Sequence, residues 1–415
     1  MTDSSREMES IEDFRVRARA WIRDNLERRS AGAPAPERAE RRELDRALQR
    51  KIYDAGFAGL AVPAEYGGAG LTLDHQKVWA EETADFITPS GYMVSIGMML
   101  PTLLDHGTEV VKQRHIPRML SGEETWIQLL SEPGGGSDMA SAMTKATREG
   151  DAYVINGSKM WSSGAGWSNY GICLARVDWN APKHQGLAMF AIPLDADGVT
   201  IDPIIPVTGP PAHFFTEYFD DVRVPVEYRL DEEGEGWTVA QRLLFHERNA
   251  TAGVGYGYGL GGGSSDDGWQ KDVARLAREH AALDDEASAD LVAEDVIRST
   301  VSRQLKDRIN AGMRTGKLQG HWGSLLKLGM GADTPINAEA VLAVSGADGV
   351  IWVEGEDGGE PGLNWLRCRG VSIAGGSNEI QRNIVSERLL DLPREPGDDK
   401  TLPFNEVLAR RQRQR

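Results

Sequence analysis

The residues with the most chemical potential sit in one short stretch, Leu129 to Asp138, reading LLSEPGGGSD. An apolar run turns at Pro133, and Gly134, Gly135 and Gly136 follow without side chains, so backbone N–H groups there can come close to a ligand. Ser131 and Ser137 bracket the turn with hydroxyls that donate or accept hydrogen bonds. An ordinary Pro–Gly turn between two strands has the same composition, so the stretch gains meaning only from its neighbours. Further on, Trp161 stands beside two hydroxyls, Ser162 and Ser163. That combination suits a platform for a flat ring, with a core tryptophan as the competing reading. Glu247 and Arg248 are adjacent in a helical stretch, where charged neighbours are common on solvated faces. His246 has no accompanying metal-ligand residues and reads as a packing residue; no metal is expected. Gly257, Gly259 and Gly262 satisfy G-x-G-x-x-G, but a dinucleotide fingerprint must follow a strand and open a helix. Here the motif follows a helical stretch, within Gly253 to Gly263 where seven of eleven residues are glycine, so it reads as a linker.

The elements that must position these residues change type along the chain. From Ile11 to about Glu123 the period is helical: Phe14, Val16, Ala18, Trp21 and Ile22 recur at helix-like intervals, as do Leu44, Leu48, Ile52 and Ala55. Gly56 and Gly59 end the second helix, a loop follows from Ala61 to Leu71, and helix returns near Asp74. Met98 to Leu104 is apolar and expected to be buried. From Trp126 short apolar segments dominate: Tyr153 to Ile155, an Asn156-Gly157 turn, Lys159 to Ser162, Gly171 to Val177, Gly186 to Pro193, and Glu217 to Val224 ended by Pro225. Strands at hairpin spacing imply an antiparallel sandwich or barrel. Helix resumes from Trp237 to Arg248, then from Trp269, through Leu291 to Leu305, Gly323 to Leu328, and Asn378 to Leu390. Helices, then strands, then helices give a multi-domain α+β chain. It comprises an N-terminal α-helical domain (1–125), a middle antiparallel β-domain (126–235) and a C-terminal helical bundle (236–415).

Composition narrows the classes. The chain has 415 residues, 40% hydrophobic and 26% charged, with a net charge of -17 that repels nucleic acid and anionic membranes. An anionic substrate therefore needs a local cluster of Arg or Lys. Cys173 and Cys368 are the only cysteines and form neither a metal spacing nor a disulfide framework, which fits a reducing, cytoplasmic setting. The polar start MTDSSREMESIEDF has no apolar signal core, and no run is long enough to span a membrane. The basic end ARRQRQR is expected to be a solvated, frayed terminus and not a nucleic-acid tail.

Taken in order, six words of the sequence resemble the acyl-CoA dehydrogenases over nearly the whole chain. They are Glu65 to Leu71 (EYGGAGL), Leu129 to Asp138, Asn156 to Gly164 (NGSKMWSSG), Asp221 to Pro225 (DVRVP), His246-Glu247-Arg248, and Ile373 to Glu395 (IAGGSNEIQRNIVSERLLDLPRE). The resemblance implies FAD held between the β-domain and the C-terminal helices. Gln128, Leu130 and Ser131 would meet the pyrimidine edge of the flavin, where a hydroxyl and a backbone N–H suit charge gained on reduction. Trp161 and Ser163 would cover the ring face and its N5 edge, and Ser137 would contact the CoA portion. Ser377 and Glu379 match contacts to the FAD ribose and pyrophosphate region, with Glu379 standing where a Gln often sits.

The implied chemistry removes an α-proton from an acyl thioester and moves the β-hydrogen as hydride to flavin N5. In many members the glutamate base lies just before the segment matching Gly376-Ser377-Asn378; here that position is Gly375. In others, such as the long-chain and isovaleryl types, it precedes an arginine on a helix, and Glu247-Arg248 matches that arrangement. Glu247 is thus expected to be the base, Arg248 to attract the CoA end, and the Gly375 N–H to bond the thioester carbonyl. The Arg-x-x-Phe-Gly word that many members carry for the FAD pyrophosphate is missing. Lys271, Arg275 or a partner subunit would have to replace it. The expected partners are an acyl-CoA, an electron-transfer flavoprotein, and further copies or a homologous subunit in a homo- or heterotetramer. Competing readings are oxidation of a carrier-protein thioester, an oxidase, a partner subunit that only completes another chain's FAD site, and a DNA-associated relative, which the acidic charge disfavours.

Overall fold

The computed structural model describes residues 8–29, 38–209, 213–251, 255–257, 271–318, 320–351, 359–394, 396 and 400–413. Helix α1 (Ile11–Asn25) starts at Ser10, whose Oγ accepts from the Asp13 N–H at 3.1 Å. Phe14, Ala18 and Ile22, four apart, fall on one face and are buried. Val16, counted above among the helix-like positions, is 63% exposed because two residues from Phe14 is the far side of a helix. Leu44 is likewise exposed on α2 (Arg38–Asp54), while Ile52 is buried. Helices α3 (Leu73–Glu82), α4 (Leu100–His106) and α5 (Glu109–Leu120) complete this part. The apolar run before and within α4 is buried at Met98, Met99, Leu100 and Leu103, as its composition implies.

Eight strands follow: β1 (Trp126–Leu129), β2 (Lys145–Glu149), β3 (Ala152–Ser163), β4 (Tyr170–Arg176), β5 (Leu187–Pro193), β6 (Val199–Ile204), β7 (Phe214–Pro225) and β8 (Arg229–Leu230). They form one sheet in the order β6-β7-β3-β2-β4-β5-β8, with β1 beside β4. Most pairs are antiparallel, but β1 and β2 each run parallel to β4, which the expected all-antiparallel arrangement did not contain. Pro203 sits in β6, at one end of the sheet, where a missing N–H costs no ladder bond.

The expected Asn156-Gly157 turn does not exist. β3 runs straight through it as a long strand against β7, with an irregularity in register between Ile155 and Gly157. The Asn156 side chain pairs with Asp221 in place of a regular rung, donating to its Oδ1 at 2.9 Å and accepting from its N–H at 3.0 Å. Gly157 has φ 147°, and a Cβ there would lie 2.7 Å from Thr144 Cα. The dipeptide that elsewhere makes a hairpin here lies opposite a bulge in β7, where Asp220 and Asp221 stand against Asn156 alone and Asp221 takes φ 51°.

Helix α6 (Gly236–Thr251) packs its buried face, including Val239, Ala240 and Leu243, into the same core as the sheet and N-terminal helices. The chain forms two compact units, one of Met1–Ile205, Pro211–Gly262 and Gly397–Arg415, the other of Pro206–Pro210 and Gly263–Pro396. The second contains α7 (Val273–Glu279), α8 (Glu286–Arg314), α9 (Gly323–Ser345), α10 (Glu360–Arg367), α11 (Arg369–Ile373) and α12 (Asn378–Arg388). There Val273, Ala277, Ala340, Val341 and Val344 form a small core of their own. Of the linker glycines, Gly259 and Gly262 lie outside the described residues.

The basic end is not a frayed tail up to residue 413. It forms helix α13 (Phe404–Arg413) within the first unit, with Phe404 fully buried and its N–H donating to Ala181 O at 3.0 Å. The burial of one aromatic ring fixes the root of a helix that a charge count alone reads as solvated.

Replacing Gly157 by Ala is expected to destabilise the first unit by at least about 2 kcal/mol, through both the positive φ and the Thr144 clash. Urea unfolding followed by tryptophan fluorescence reads the loss.

Candidate functional site

The LLSEPGGGSD loop leaves β1 and folds on a buried ion pair. Lys159, fully buried on β3, donates to Glu132 Oε1 at 2.8 Å and to the Leu130 carbonyl at 3.2 Å. Glu132 also accepts from the Met143 N–H at 2.7 Å and the Thr144 N–H at 2.9 Å. Burial alone would raise its carboxyl, but the Lys159 charge and these hydrogen bonds outweigh it and hold it below the usual carboxylate range. Paired backbone bonds between Glu132 and Gly135 close the turn at Pro133-Gly134. Gly136 lets the Ser131 hydroxyl pass 3.2 Å from where a Cβ would stand, and Gly134 and Gly135 face open space. Ser131 is half-buried, Ser137 is exposed, and Leu130 is buried. Glu132 and Lys159 were not singled out in the sequence. Their signal was a charged residue inside each of two otherwise small or apolar words.

The second word is bent by a second bulge. Met160 pairs with Thr216 and Ser162 with Phe215, so Trp161 is an extra residue on β3. Its φ is 68°, rare for a bulky side chain, and its indole is 55% exposed. Ser131 O accepts from the Met160 N–H at 3.0 Å on one side of the bulge. On the other, Ser162 Oγ donates to Glu217 Oε2 of β7 at 2.9 Å. Ser163 is half-buried at the strand end. Gln128 on β1 carries a buried Oε1 with no hydrogen-bond partner among the described residues. Gln128, Leu130, Ser131, Trp161 and Ser163 thus all lie on β1, β3 and the loop between β1 and β2, within one sheet.

At its far end the loop meets α13. Asp138 pairs with Lys183 at 3.1 Å and with Arg411 at 3.3 Å. Arg176, fully buried on β4, donates to the carbonyls of Ala140, Ala142 and Lys183, and its guanidinium lies 3.6 Å from the Phe404 ring centroid. Burial lowers the Arg176 pKa to about 10, so it remains a cation at neutral pH. Between loop and α13 runs a cleft of about 270 Å³, lined by Leu130, Asp138, Met139, Met143, Leu408 and Arg411 among others.

Glu247 is half-buried and Arg248 exposed on α6. His246 just before them is buried, and its Nε2 lies 2.8 Å from Asp105 Oδ2, an oxygen that Arg242 also bonds. Burial drives the His246 pKa down while Asp105 opposes it. The histidine therefore fastens α6 to α4, consistent with the packing role read from its isolation; no group of residues able to hold a metal occurs among the described residues. Cys173 is fully buried and burial pushes its thiol up to about 12, so it is no nucleophile at neutral pH.

In the second unit, Gly375 and Gly376 take φ of 64° and 89°. Their carbonyls accept from the buried Gln381 Nε2 at 3.2 and 3.3 Å. Ser377 caps α12, its Oγ accepting from the Ile380 N–H at 3.4 Å. Glu379 is exposed and lies 3.7 Å from Arg382. Lys271 pairs with Glu360 at 2.9 Å and Arg275 with Glu279 at 2.7 Å. Both are surface pairs of small energy.

The β-unit residues fit a planar, hydrogen-bonding ring: an exposed indole on a strained turn, hydroxyls beside it, and an orphaned buried amide oxygen nearby. The comparisons with known proteins agree. The acyl-CoA dehydrogenase N-terminal domain matches residues 8–123, the middle domain 128–222 and the C-terminal domain 234–390. This chain belongs to the acyl-CoA dehydrogenase family. It is similar to acyl-CoA dehydrogenase IpdE1 of Mycobacterium tuberculosis, 35% identical over 397 residues, 94% of this chain and 99% of that protein. Among solved structures it is similar to the steroid ACAD Tcur3481-Tcur3483, with TM-score 0.71, 27% identity, and 94% and 99% of the two chains covered. It is also similar to the ChsE4-ChsE5 complex of Mycobacterium tuberculosis, with TM-score 0.69, 25% identity, and 94% and 100% covered. The protein is accordingly an oxidoreductase acting on CH–CH bonds, a flavoprotein of lipid metabolism with FAD as its cofactor. No described helix is long and apolar enough to cross a membrane.

Replacing Lys159 by Met leaves Glu132 buried without its counter-charge and is expected to cost about 3–5 kcal/mol. The double variant with Glu132→Gln should recover a large part of that loss in the same unfolding measurement, because no buried charge is left uncompensated.

Proposed function

We propose that this chain is a catalytic acyl-CoA dehydrogenase subunit that oxidises the α,β bond of an acyl-CoA to the trans-2-enoyl-CoA, with Glu247 as base. The observation that carries the reading is a half-buried Glu247 on a helix fastened through His246 and Asp105, in a sequence whose other base position, Gly375, has no side chain. Gly375 supplies a backbone N–H for the thioester oxygen, and Gln381 holds the carbonyl on the other side of the same residue. FAD bound there would supply the acceptor for the β-hydrogen. Gln128, Leu130 and Ser131 hold the ring's pyrimidine edge, Trp161 and Ser163 its face and N5 side. Ser377 and Glu379 serve the ribose and pyrophosphate region; Ser137 and Arg248 serve the CoA portion. Electrons leave to an electron-transfer flavoprotein.

The missing Arg-x-x-Phe-Gly word, with Lys271 and Arg275 already paired, supports a tetramer in which a homologous subunit completes the FAD site. The two-component names of the similar steroid ACAD and of the ChsE4-ChsE5 complex favour the same reading, and with it a bulky acyl group. Co-expression with a homologous chain should then raise flavin content above that of the chain alone.

Glu247→Gln is expected to keep bound flavin and to lose bleaching of its absorbance by every member of an acyl-CoA panel that includes steroid side-chain thioesters. Near-normal bleaching in that variant would overturn the assignment.

A further inference from the structure

Glu217 is the one residue of the β-unit whose environment the reaction does not explain. It is fully buried on β7, opposite Lys159 of β3. Yet Lys159 is committed to Glu132 and the Leu130 carbonyl. Two buried acids thus share the neighbourhood of one buried base, and the base has chosen Glu132. Glu217 keeps one hydrogen bond, from Ser162 Oγ, and its Oε1 has no partner among the described residues. A buried carboxylate in that position is costly, whereas a neutral acid leaves only one acceptor unpaired. Burial accordingly raises the Glu217 pKa to about 8, with Ser162 and Lys159 opposing. The titratable groups that share its surroundings are Lys159, Glu132 and Cys173.

The single hydrogen bond that Glu217 keeps falls at a telling place. Ser162 is the first residue after the bulge that carries Trp161 at φ 68°. A bulky residue at positive φ costs on the order of 1–3 kcal/mol and persists only where its surroundings enforce it. Upstream the enforcement is the Met160 N–H on Ser131 O; downstream it is Ser162 on Glu217. We propose that Glu217 is a positioning residue of the flavin site: through Ser162 it pins the bulge that turns the Trp161 indole outward for the ring. It rests on the reading of Trp161 as part of the flavin site, and the test separates the two.

The variants are Glu217→Gln, Glu217→Leu and Ser162→Ala, made in the full chain, with Trp161→Phe identifying the Trp161 signal. Two quantities are read: the FAD dissociation constant, and the Trp161 contribution to near-UV circular dichroism and to acrylamide quenching of the flavin-free protein. Glu217→Leu and Ser162→Ala should weaken FAD by about tenfold or more, the equivalent of one lost hydrogen bond, and change the Trp161 signal. Glu217→Gln, which offers the same acceptor, should restore both. The wild type and Glu217→Gln should agree at pH 6 and separate as pH rises through about 8, where only the wild type gains a buried charge. The sign follows from the raised pKa: below it Glu217 is neutral like the amide, and above it only the wild type carries a charge in this buried place. A fall in melting temperature of Glu217→Leu with unchanged FAD affinity and unchanged Trp161 signal overturns the proposal, as do parallel pH profiles. If the variants change the Trp161 signal as described while FAD affinity, measured also with a co-expressed homologous subunit, stays the same, the pin stands and the reading of Trp161 as a flavin contact falls.

Discussion

A lysine ammonium buried in a sheet interior has few options. It must find a counter-charge and satisfy its remaining protons, or it will not stay charged. Lys159 finds both in the segment that leaves β1, and in doing so it ties two distant words of the sequence together. The Pro–Gly turn, the Ser131 hydroxyl and the entry into β2 all depend on that tie, because Glu132 bonds the backbone of Met143 and Thr144 with the same carboxylate. The glycines of the loop then do a modest job: they keep Cβ atoms out of a path that the ion pair has already set.

Around this anchor the β-unit concentrates its irregularities. Two departures from a regular ladder lie between β3 and β7, an extra residue of β7 opposite Asn156 and an extra residue of β3 at Trp161. A third anchor, Arg176 under the Phe404 ring, ties the end of the loop to α13. Buried polar groups with satisfied partners specify one arrangement of a chain, since any slip leaves a charge exposed to an apolar interior. The parts that look least regular are thus the most tightly determined.

The helical and strand-rich regions could be read from periodicity, and the family from six short words, because both are local properties of the chain. What could not be read is tertiary. Asn156-Gly157 carries the composition of a hairpin turn, yet it lies within β3 opposite a bulge of β7. Val16 keeps a loosely helical interval, yet faces solvent. Residues 409–413 of the tail ARRQRQR are exposed, as their composition implies, but they are helical and not frayed, in a helix rooted by buried Phe404. Nothing local distinguishes Glu217 from a surface glutamate; its meaning depends on Lys159 having chosen another partner. Sequence alone could nominate Ser131, Trp161 and Glu247 for the candidate site, because there side-chain type and family resemblance carry the argument. The site was illegible where a residue acts by holding another.

The extra residue at Trp161 also changes the parity of the strand. Lys159 and Ser162 are three apart, an odd spacing that in a regular strand places side chains on opposite faces, yet both are buried. All that follows Trp161 is therefore out of phase with all that precedes it. A strand with one residue fewer would lose that change of phase, and Ser162 or Lys159 would then face outward. In this chain the site is encoded as an insertion, and shortening the strand to an ideal length would erase it while leaving the sheet intact.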